Sequence, residues 1–192
     1  PLYSSAASDV YKRQVDRKSD MKLFLALLIL LFTFNVLTAD DGYRLWLKYD
    51  KIHDVQKLET YQSVLQGILV TGDSLTGAII QNELENGLNG LLDKKIPIIR
   101  DIQDNCIIAG TIENIRSMVN IDLENEMNAI GNEGYLILNY NISNNDIIII
   151  TANTDIGVLY GTFHFLRLLQ TLQDIDVLNI ICLLYTSDAA DE

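Results

Sequence analysis

The sequence predicts a protein of mixed α and β class, in which short strands and helices alternate along one domain. The chain has 192 residues, enough for one domain or two small ones and fewer than the roughly 250 of a typical α/β barrel. Its residues are 48% apolar and 21% charged, which argues against intrinsic disorder. A net charge of −12 argues against a general nucleic-acid-binding protein, because such a protein must present bases to phosphates.

The first predicted elements are two strands and a long helix. Residues 43–49 alternate charged with aromatic or leucine positions and predict a half-buried strand, and residues 68–70 predict a short strand that ends at Gly72. Ser74 is suited to cap the following helix. Glycines within that helix weaken it by up to about 1 kcal/mol each and leave its end open. Its apolar stripe is expected to contain Leu75, Ile79, Leu84, Leu88 and Leu91.

Further strands and helices follow after residue 105. Residues 106–109 predict a strand, residues 112–130 predict helix in pieces, and residues 135–140 and 147–151 predict two strands joined by a turn. Residues 144–146 of that turn tolerate left-handed geometry. The four consecutive isoleucines at 147–150 leave no polar face and predict a central strand that is covered on both sides.

Residues 156–172 give the strongest helical pattern in the chain, and the helix is apolar nearly all round. Such a helix must be buried on most of its sides. One side can pack on the sheet, and the other is expected to need a cover that this chain does not contain. The two apolar faces are Ile156, Leu159, Tyr160, Phe163 and Leu166 on one side, and Val158, Phe165, Leu169 and Leu172 on the other.

The two ends of the chain are predicted to be translated sequencing adapter. SDVYKRQ, which ends at Gln14, corresponds to one strand of a transposase library adapter, and CLLYTSD, which begins at Cys182, corresponds to the opposite strand. A chance match at both ends in complementary orientation is very improbable. We therefore expect residues 1–20 to be adapter and leader and residues 182–192 to be adapter.

Residues 21–39 have the pattern of a secretory signal peptide. Met21 and Lys22 open a short basic region, an apolar stretch follows at 23–34, and Ala39 is a small residue at the expected cleavage point. That stretch is shorter than the roughly 20 residues that span a bilayer, so cleavage is favoured over membrane anchoring. The mature domain is therefore expected at 40–181, in the periplasm or outside the cell.

The sequence predicts no catalytic, metal or cofactor site. Neither His53 nor His164 has spaced ligand partners, no phosphate-binding glycine loop occurs, and Cys106 is expected to be a small buried residue. His164 is expected to be hydrogen-bonded in the core or at an interface. Gly157 and Gly161 predict close approach of the last helix to the sheet. Three carboxylates near glycines are interpreted as cap and turn residues rather than a glycosidase pair, namely Asp73, Glu133 and Asp155.

Several stretches resemble the N-terminal region of α-glucuronidases of glycoside hydrolase family 67. They are the opening DGYRLWLKYD at 41–50, EGYLI at 133–137, the long TANTDIGVLYGTFHFLRLLQ at 151–170, and the residues at 175–176 and 178–180 that follow. The likeness covers essentially all of 40–181 and is loosest between 93 and 132. The long third stretch is the most specific.

The resemblance implies an α+β accessory domain, a mixed β-sheet packed by helices, similar to the domain that precedes the barrel in β-N-acetylhexosaminidases. It also implies a following (β/α)8 barrel that carries the catalytic carboxylates, so this chain is expected to be truncated, inactive alone, and packed on that barrel in the parent protein. The implied parent is an exported, inverting enzyme that removes (4-O-methyl)glucuronic acid from xylo-oligosaccharides in xylan breakdown, with no cofactor.

Two alternatives stay open on the sequence. One is the equivalent domain of another glycosidase of hexosaminidase or hyaluronidase type, which would differ in the barrel motifs that follow. The other is a free-standing carbohydrate-binding module, which should present a row of exposed aromatic residues. Trp46 is the only tryptophan and lies inside a predicted strand, so it is interpreted as a core residue.

Overall fold

The computed structural model describes residues 48–183, and these form one mixed sheet with helices on both faces. The helices are α1 (Val55–Val64), α2 (Leu75–Leu92), α3 (Ile112–Met118), α4 (Glu124–Ile130) and α5 (Asp155–Gln170). The strands are β1 (Gly67–Val70), β2 (Cys106–Thr111), β3 (Tyr135–Ile142), β4 (Asn145–Ala152) and β5 (Asn179–Cys182). The predicted α+β class is confirmed. The expected adapter and signal segments at 1–39, Trp46 and the adapter residues from 184 onward lie outside the described residues.

The strands are ordered β1-β2-β4-β3-β5 across the sheet. Strands β1, β2 and β4 are parallel, whereas β3 is antiparallel to β4 and β5 is antiparallel to β3. The carboxyl ends of the three parallel strands therefore share one end of the sheet, which we call the carboxyl end, and the opposite end is the amino end. Helices α2 and α5 both begin at the carboxyl end, directly after β1 and β4.

A hydrophobic core lies on each face of the sheet. On one face, α1, α2 and α5 cover side chains of all five strands, including Ile107, Ile148 and Ile150. On the other face, α3 and α4 cover Ile108, Ile149 and their neighbours. Residues 147–150 are all buried between these two layers, so the central strand predicted from the isoleucine run is confirmed.

Helix α2 runs unbroken through its three glycines to Leu92. Ser74 caps it as predicted, because its Oγ accepts a hydrogen bond from the backbone N–H of Gly77 at 2.9 Å. A Cβ atom on Gly87 would lie 2.6 Å from a methyl group of Leu166 on α5, so this glycine allows the two helices to pack closely. Tertiary contact therefore offsets the low helix propensity of glycine.

Two local predictions need correction here. Lys48 and Tyr49, the described end of the strand predicted at 43–49, are not in a strand, and the remainder of that segment lies outside the described residues. In the β3–β4 hairpin, positive φ angles occur at Ser143 (49°) and Asn144 (73°), one position earlier than the predicted turn residues 144–146. Two consecutive residues with positive φ are the geometry of a tight hairpin turn that matches the strand twist.

The outer edge of β1 is covered by residues 97–99. The backbone N–H of Ile68 donates to the carbonyl of Pro97 at 2.9 Å, and the N–H of Ile99 donates to the carbonyl of Ile68 at 2.8 Å. No other described strand pairs with the outer edge of β5 at the far side of the sheet. Within the described residues, no helix is both long and apolar enough to cross a bilayer.

Candidate functional site

The half-buried His164 and the buried Tyr135 form a pair where α5 packs on β3. The hydroxyl of Tyr135 lies 2.9 Å from Nδ1 of His164, and the two rings meet edge to face with their centroids 5.7 Å apart. Burial raises the pKa of the Tyr135 hydroxyl, with a smaller contribution from the neighbouring Cys182. Burial, and secondarily the charge of Arg167, lowers the pKa of His164. The hydrogen-bonded, partly enclosed histidine predicted from the sequence is confirmed.

The three carboxylates from which a glycosidase pair could be drawn lie in turns and near helix starts. Asp73 precedes the cap of α2, Asp155 is the first residue of α5, and Glu133 lies in the turn before β3. Thr154, rather than an acid, caps α5, because its Oγ1 accepts from the N–H of Gly157 at 3.2 Å. Among the described residues, no group of three or more His, Cys, Asp or Glu side chains is placed to hold a metal ion.

Gly157 and Gly161 allow α5 to approach the sheet closely, as predicted. A Cβ atom at Gly157 would lie 2.6 Å from Cβ of Ala152 and 2.7 Å from the carbonyl oxygen of Gly134. A Cβ atom at Gly161 would lie 2.9 Å from a methyl group of Ile150. These contacts fill the space that a ligand would need, so both glycines serve packing.

Cys106 is buried at the start of β2, with 1% of its surface exposed. Burial raises the pKa of its thiol, which disfavours the thiolate needed for nucleophilic or metal chemistry. The interpretation of Cys106 as a small buried residue is confirmed.

Two shallow cavities lie along the sheet. The first, of about 440 Å³, is at the amino end, and the second, of about 430 Å³, is a groove beside β5 with a mixed polar and apolar lining. The polar groups of the first are largely bonded to one another: Asn139 accepts from the N–H of Leu178 at 2.6 Å and donates to the carbonyl of Ile175, while Asn141 donates to Asp146 at 2.6 Å. Asn139 therefore fastens the loop before β5, and Asn141 links β3 to β4. Both asparagines lie in β3, and sequence analysis had no signal for them because their partners come from other segments.

The outer side of the helix layer carries exposed apolar residues at the carboxyl end of the sheet. On α5, Ile156 is 44% exposed and Tyr160 is 40% exposed, and Phe163 continues the same stripe half-buried. On α2, Leu75 is 89% exposed and Ile79 is 49% exposed. We call Leu75, Ile79, Ile156 and Tyr160 the outer patch.

The outer patch agrees with the sequence prediction on α5 in part and differs from it on α2. Leu166, predicted on the same face as Ile156 and Tyr160, is buried against α2, and Leu172, predicted on the other face, lies beyond the end of α5 and is 38% exposed. An uncovered apolar face was expected for the last helix, whereas Leu75 and Ile79 were placed on the core stripe of α2. The buried stripe instead uses Ile80 together with Leu84, Leu88 and Leu91. Ile80 recurs with Leu84 and Leu88 at a spacing of four residues, and this regularity was the signal that could have excluded Leu75 and Ile79.

Residues 45–165 match the family described as the N-terminus of glycosyl hydrolase family 67. The chain belongs to this family. The matched range includes β1 to β4, most of α5, all four residues of the outer patch and the Tyr135–His164 pair. No curated protein matches the chain. The family 67 domain described here is thus a glycoside hydrolase N-terminal domain.

Proposed function

We propose that this chain is the non-catalytic N-terminal domain of an exported α-glucuronidase. The proposed parent enzyme removes (4-O-methyl)glucuronic acid from xylo-oligosaccharides during xylan breakdown. The observation that supports the proposal most directly is the match to the family 67 N-terminus over residues 45–165. The segment at 151–170, which carries the closest resemblance to α-glucuronidases, spans the end of β4 and the whole of α5.

The chemistry is assigned to a barrel that follows this domain in the parent enzyme. Inverting hydrolysis uses one carboxylic acid to protonate the leaving oxygen and one carboxylate to activate water, with the two groups about 6.5–9.5 Å apart. No residue of this chain is assigned either role. The contribution of the domain is structural, because its described residues form a sheet packed on both faces and an exposed apolar stripe on α5.

Export and truncation are part of the same proposal. Residues 21–39 have the pattern of a signal peptide, so the parent enzyme is proposed to be periplasmic or secreted. Residues 1–20 and 182–192 are proposed to derive from adapter and leader DNA, so that the native reading frame continues beyond residue 181 with barrel sequence.

The test is to recover the complete reading frame, express both the full protein and the present chain, and incubate each with aldouronic acids. The full protein should release glucuronic acid with inversion, observed by NMR of the first-formed anomer. The present chain, verified as folded by circular dichroism, should release none. Release of a hexosamine by the full protein, a frame without a barrel, or activity in the present chain alone would each contradict the proposal.

A further inference from the structure

Acids lie at both ends of the sheet, and those at the carboxyl end include Asp73, Glu133 and Asp155. The amino end carries four acids in loops and at the start of β4, namely Asp104, Asp146, Asp174 and Asp176. Three of these residues take part in local polar contacts: Asp104 accepts from the N–H of Asp146 at 2.8 Å, Asp146 accepts from Asn141, and Asp174 pairs with Lys57 at 2.5 Å. The carboxyl end also carries the outer patch on the first turns of α2 and α5.

The two halves of the outer patch belong to one surface. Helices α2 and α5 cover the same face of the sheet, both start at its carboxyl end, and they touch where Gly87 meets Leu166. Ile79 precedes Gly87 by eight residues and Tyr160 precedes Leu166 by six, so both lie roughly 10 Å toward the carboxyl end from that contact, at a rise of about 1.5 Å per residue.

The chain leaves the sheet next to this surface. Strand β5 ends at Cys182, which is paired with Tyr135. The side chain of Tyr135 lies against Gly161, and its hydroxyl is hydrogen-bonded to Nδ1 of His164 on α5. His164 is one helical turn from Tyr160, so a polypeptide that continues from β5 emerges beside the outer patch.

We propose that the outer patch is the surface on which the domain following β5 in the parent enzyme docks, so that the amino end and its β3–β4 hairpin point into solvent. This inference rests on the proposed function. A second copy of the chain is the less suitable occupant, because a stable dimer buries about 800 Å² per partner and the patch has only four exposed side chains. A covalently linked domain needs less area, because the linkage itself sets its effective concentration at the patch.

The first experiment compares hydrogen exchange in the full-length parent protein and in the present chain. Backbone amides in the first two turns of α2 and α5 should exchange about tenfold or more slowly in the full-length protein, because docking suppresses local opening. Amides of the β3–β4 hairpin should exchange at the same rate in both. Equal exchange in the first turns of both helices, or protection of the hairpin instead, would overturn the proposed orientation.

The second experiment uses substitutions in the full-length protein. The double variant Ile79→Asn/Ile156→Asn should lose the exchange protection of the first turns and become more sensitive to proteolysis between the domains. The matched double variant Val55→Asn/Val177→Asn, which replaces residues 65% and 89% exposed outside the patch, should behave as the unchanged protein. If a variant fails to fold, the hydrogen exchange of the unsubstituted full-length protein, compared with that of the present chain, still tests the docking surface.

The outcomes separate the docking surface from the proposed function. Glucuronic acid release together with an unprotected outer patch would overturn the docking surface and leave the function standing. A reading frame without a barrel would overturn both. The present chain in concentrated solution could instead show the same protection of the patch as the full-length protein, together with a dimer in sedimentation. That result would assign the patch to a second copy of the chain and overturn docking of the following domain.

Discussion

Single glycines determine how closely α5 lies on the sheet. Gly157 faces backbone and a methyl group within 2.7 Å of where its Cβ would be, whereas Gly77 on α2 has its nearest neighbours at 3.3 and 3.4 Å. Both lie inside helices, so substitution by alanine gives each the same gain in helix propensity. The difference between the two sites therefore measures packing alone.

We expect Gly157→Ala to lower the free energy of unfolding by about 1–3 kcal/mol, because the added methyl group must push α5 away from the backbone of Gly134. Gly77→Ala is the control and should change stability by no more than about 1 kcal/mol. Urea unfolding followed by circular dichroism measures both. Equal stability of the two variants would mean that α5 is not held against the sheet at Gly157.

His164 makes stability depend on pH. Its pKa is lowered in the folded chain, first by burial and then by Arg167, so the unfolded chain, with a histidine pKa of about 6.5, binds the proton more readily. The free energy of unfolding should therefore have its full value above about pH 6.5 and decrease as the pH falls through the lowered folded pKa.

The variant His164→Asn should flatten this pH dependence. Urea unfolding at about pH 7.5 and about pH 5.5 measures the slope, and His53→Asn, at an exposed position, is the control that should keep the slope of the unchanged protein. An unchanged slope in His164→Asn would assign the acid sensitivity to other groups.

At the level of single residues, the sequence predicted the role of a residue where that role follows from its neighbours along the chain. Gly157 and Gly161 stand on the helix that follows the isoleucine strand, and His164 stands between two phenylalanines, so packing was the natural expectation. The partner of His164 could not be predicted, because Tyr135 is 29 residues away in sequence and is brought to α5 only by the order of the strands.

At the level of elements, helix starts differ in how their backbone groups are satisfied. Thr154 caps α5 through a bond from the N–H of Gly157, and its hydroxyl also donates to the carbonyl of Asn132 at 2.6 Å. Thr111 occupies the same position before α3 and makes no such side-chain bond. The two threonines are therefore a natural pair for measuring the contribution of a cap.

We expect Thr154→Ala to cost about 1–2 kcal/mol of stability, within the range of measured cap removals. Thr111→Ala should cost clearly less, because its side chain accepts no capping hydrogen bond. Thermal and urea unfolding would show the difference. A larger loss in Thr111→Ala than in Thr154→Ala would contradict the assignment of the caps.

Elements with a strong apolar pattern could be predicted, and elements without one could not. Strand β4 and helix α5 were evident from runs of large apolar residues. Helix α1 has only one fully buried residue, Tyr61, and β5 has only four residues of alternating exposure, so neither gives a periodic signal. Both depend on contacts far along the chain, such as the bond from the hydroxyl of Tyr61 to the carbonyl of Gln173.

At the level of the whole molecule, the net charge opposes association that the outer patch favours. The chain carries a net charge of −12, so copies repel each other at low ionic strength. The exposed apolar residues at the carboxyl end favour contact between copies when the following domain, which is proposed to cover them in the parent enzyme, is absent. Only the α5 part of the outer patch could be predicted from the sequence, because α5 has more apolar faces than its sheet can cover. The α2 part could not, because which α2 residues are exposed depends on the rotation of that helix against the sheet.

We expect self-association of the present chain to increase as the salt concentration rises from about 0.05 to about 0.5 M, because screening weakens the repulsion between copies. The double variant Ile79→Asn/Ile156→Asn should associate less at every salt concentration. Sedimentation velocity measures the distribution, with Val55→Asn/Val177→Asn as the matched control. If substitution of Ile79 and Ile156 leaves the association unchanged, the copies associate through a surface other than the outer patch.

The cover that residues 97–99 form over β1 leaves the sheet with two unlike borders. Incoming backbone cannot add beside β1, because the N–H and carbonyl groups of Ile68 are already taken. At β5, no described strand occupies the outer edge, and unpaired backbone groups there can template another strand. Pairing of intact sheets through this border would therefore join two copies, β5 to β5, and end there, because the covered border at β1 offers no free groups at Ile68 for a third copy.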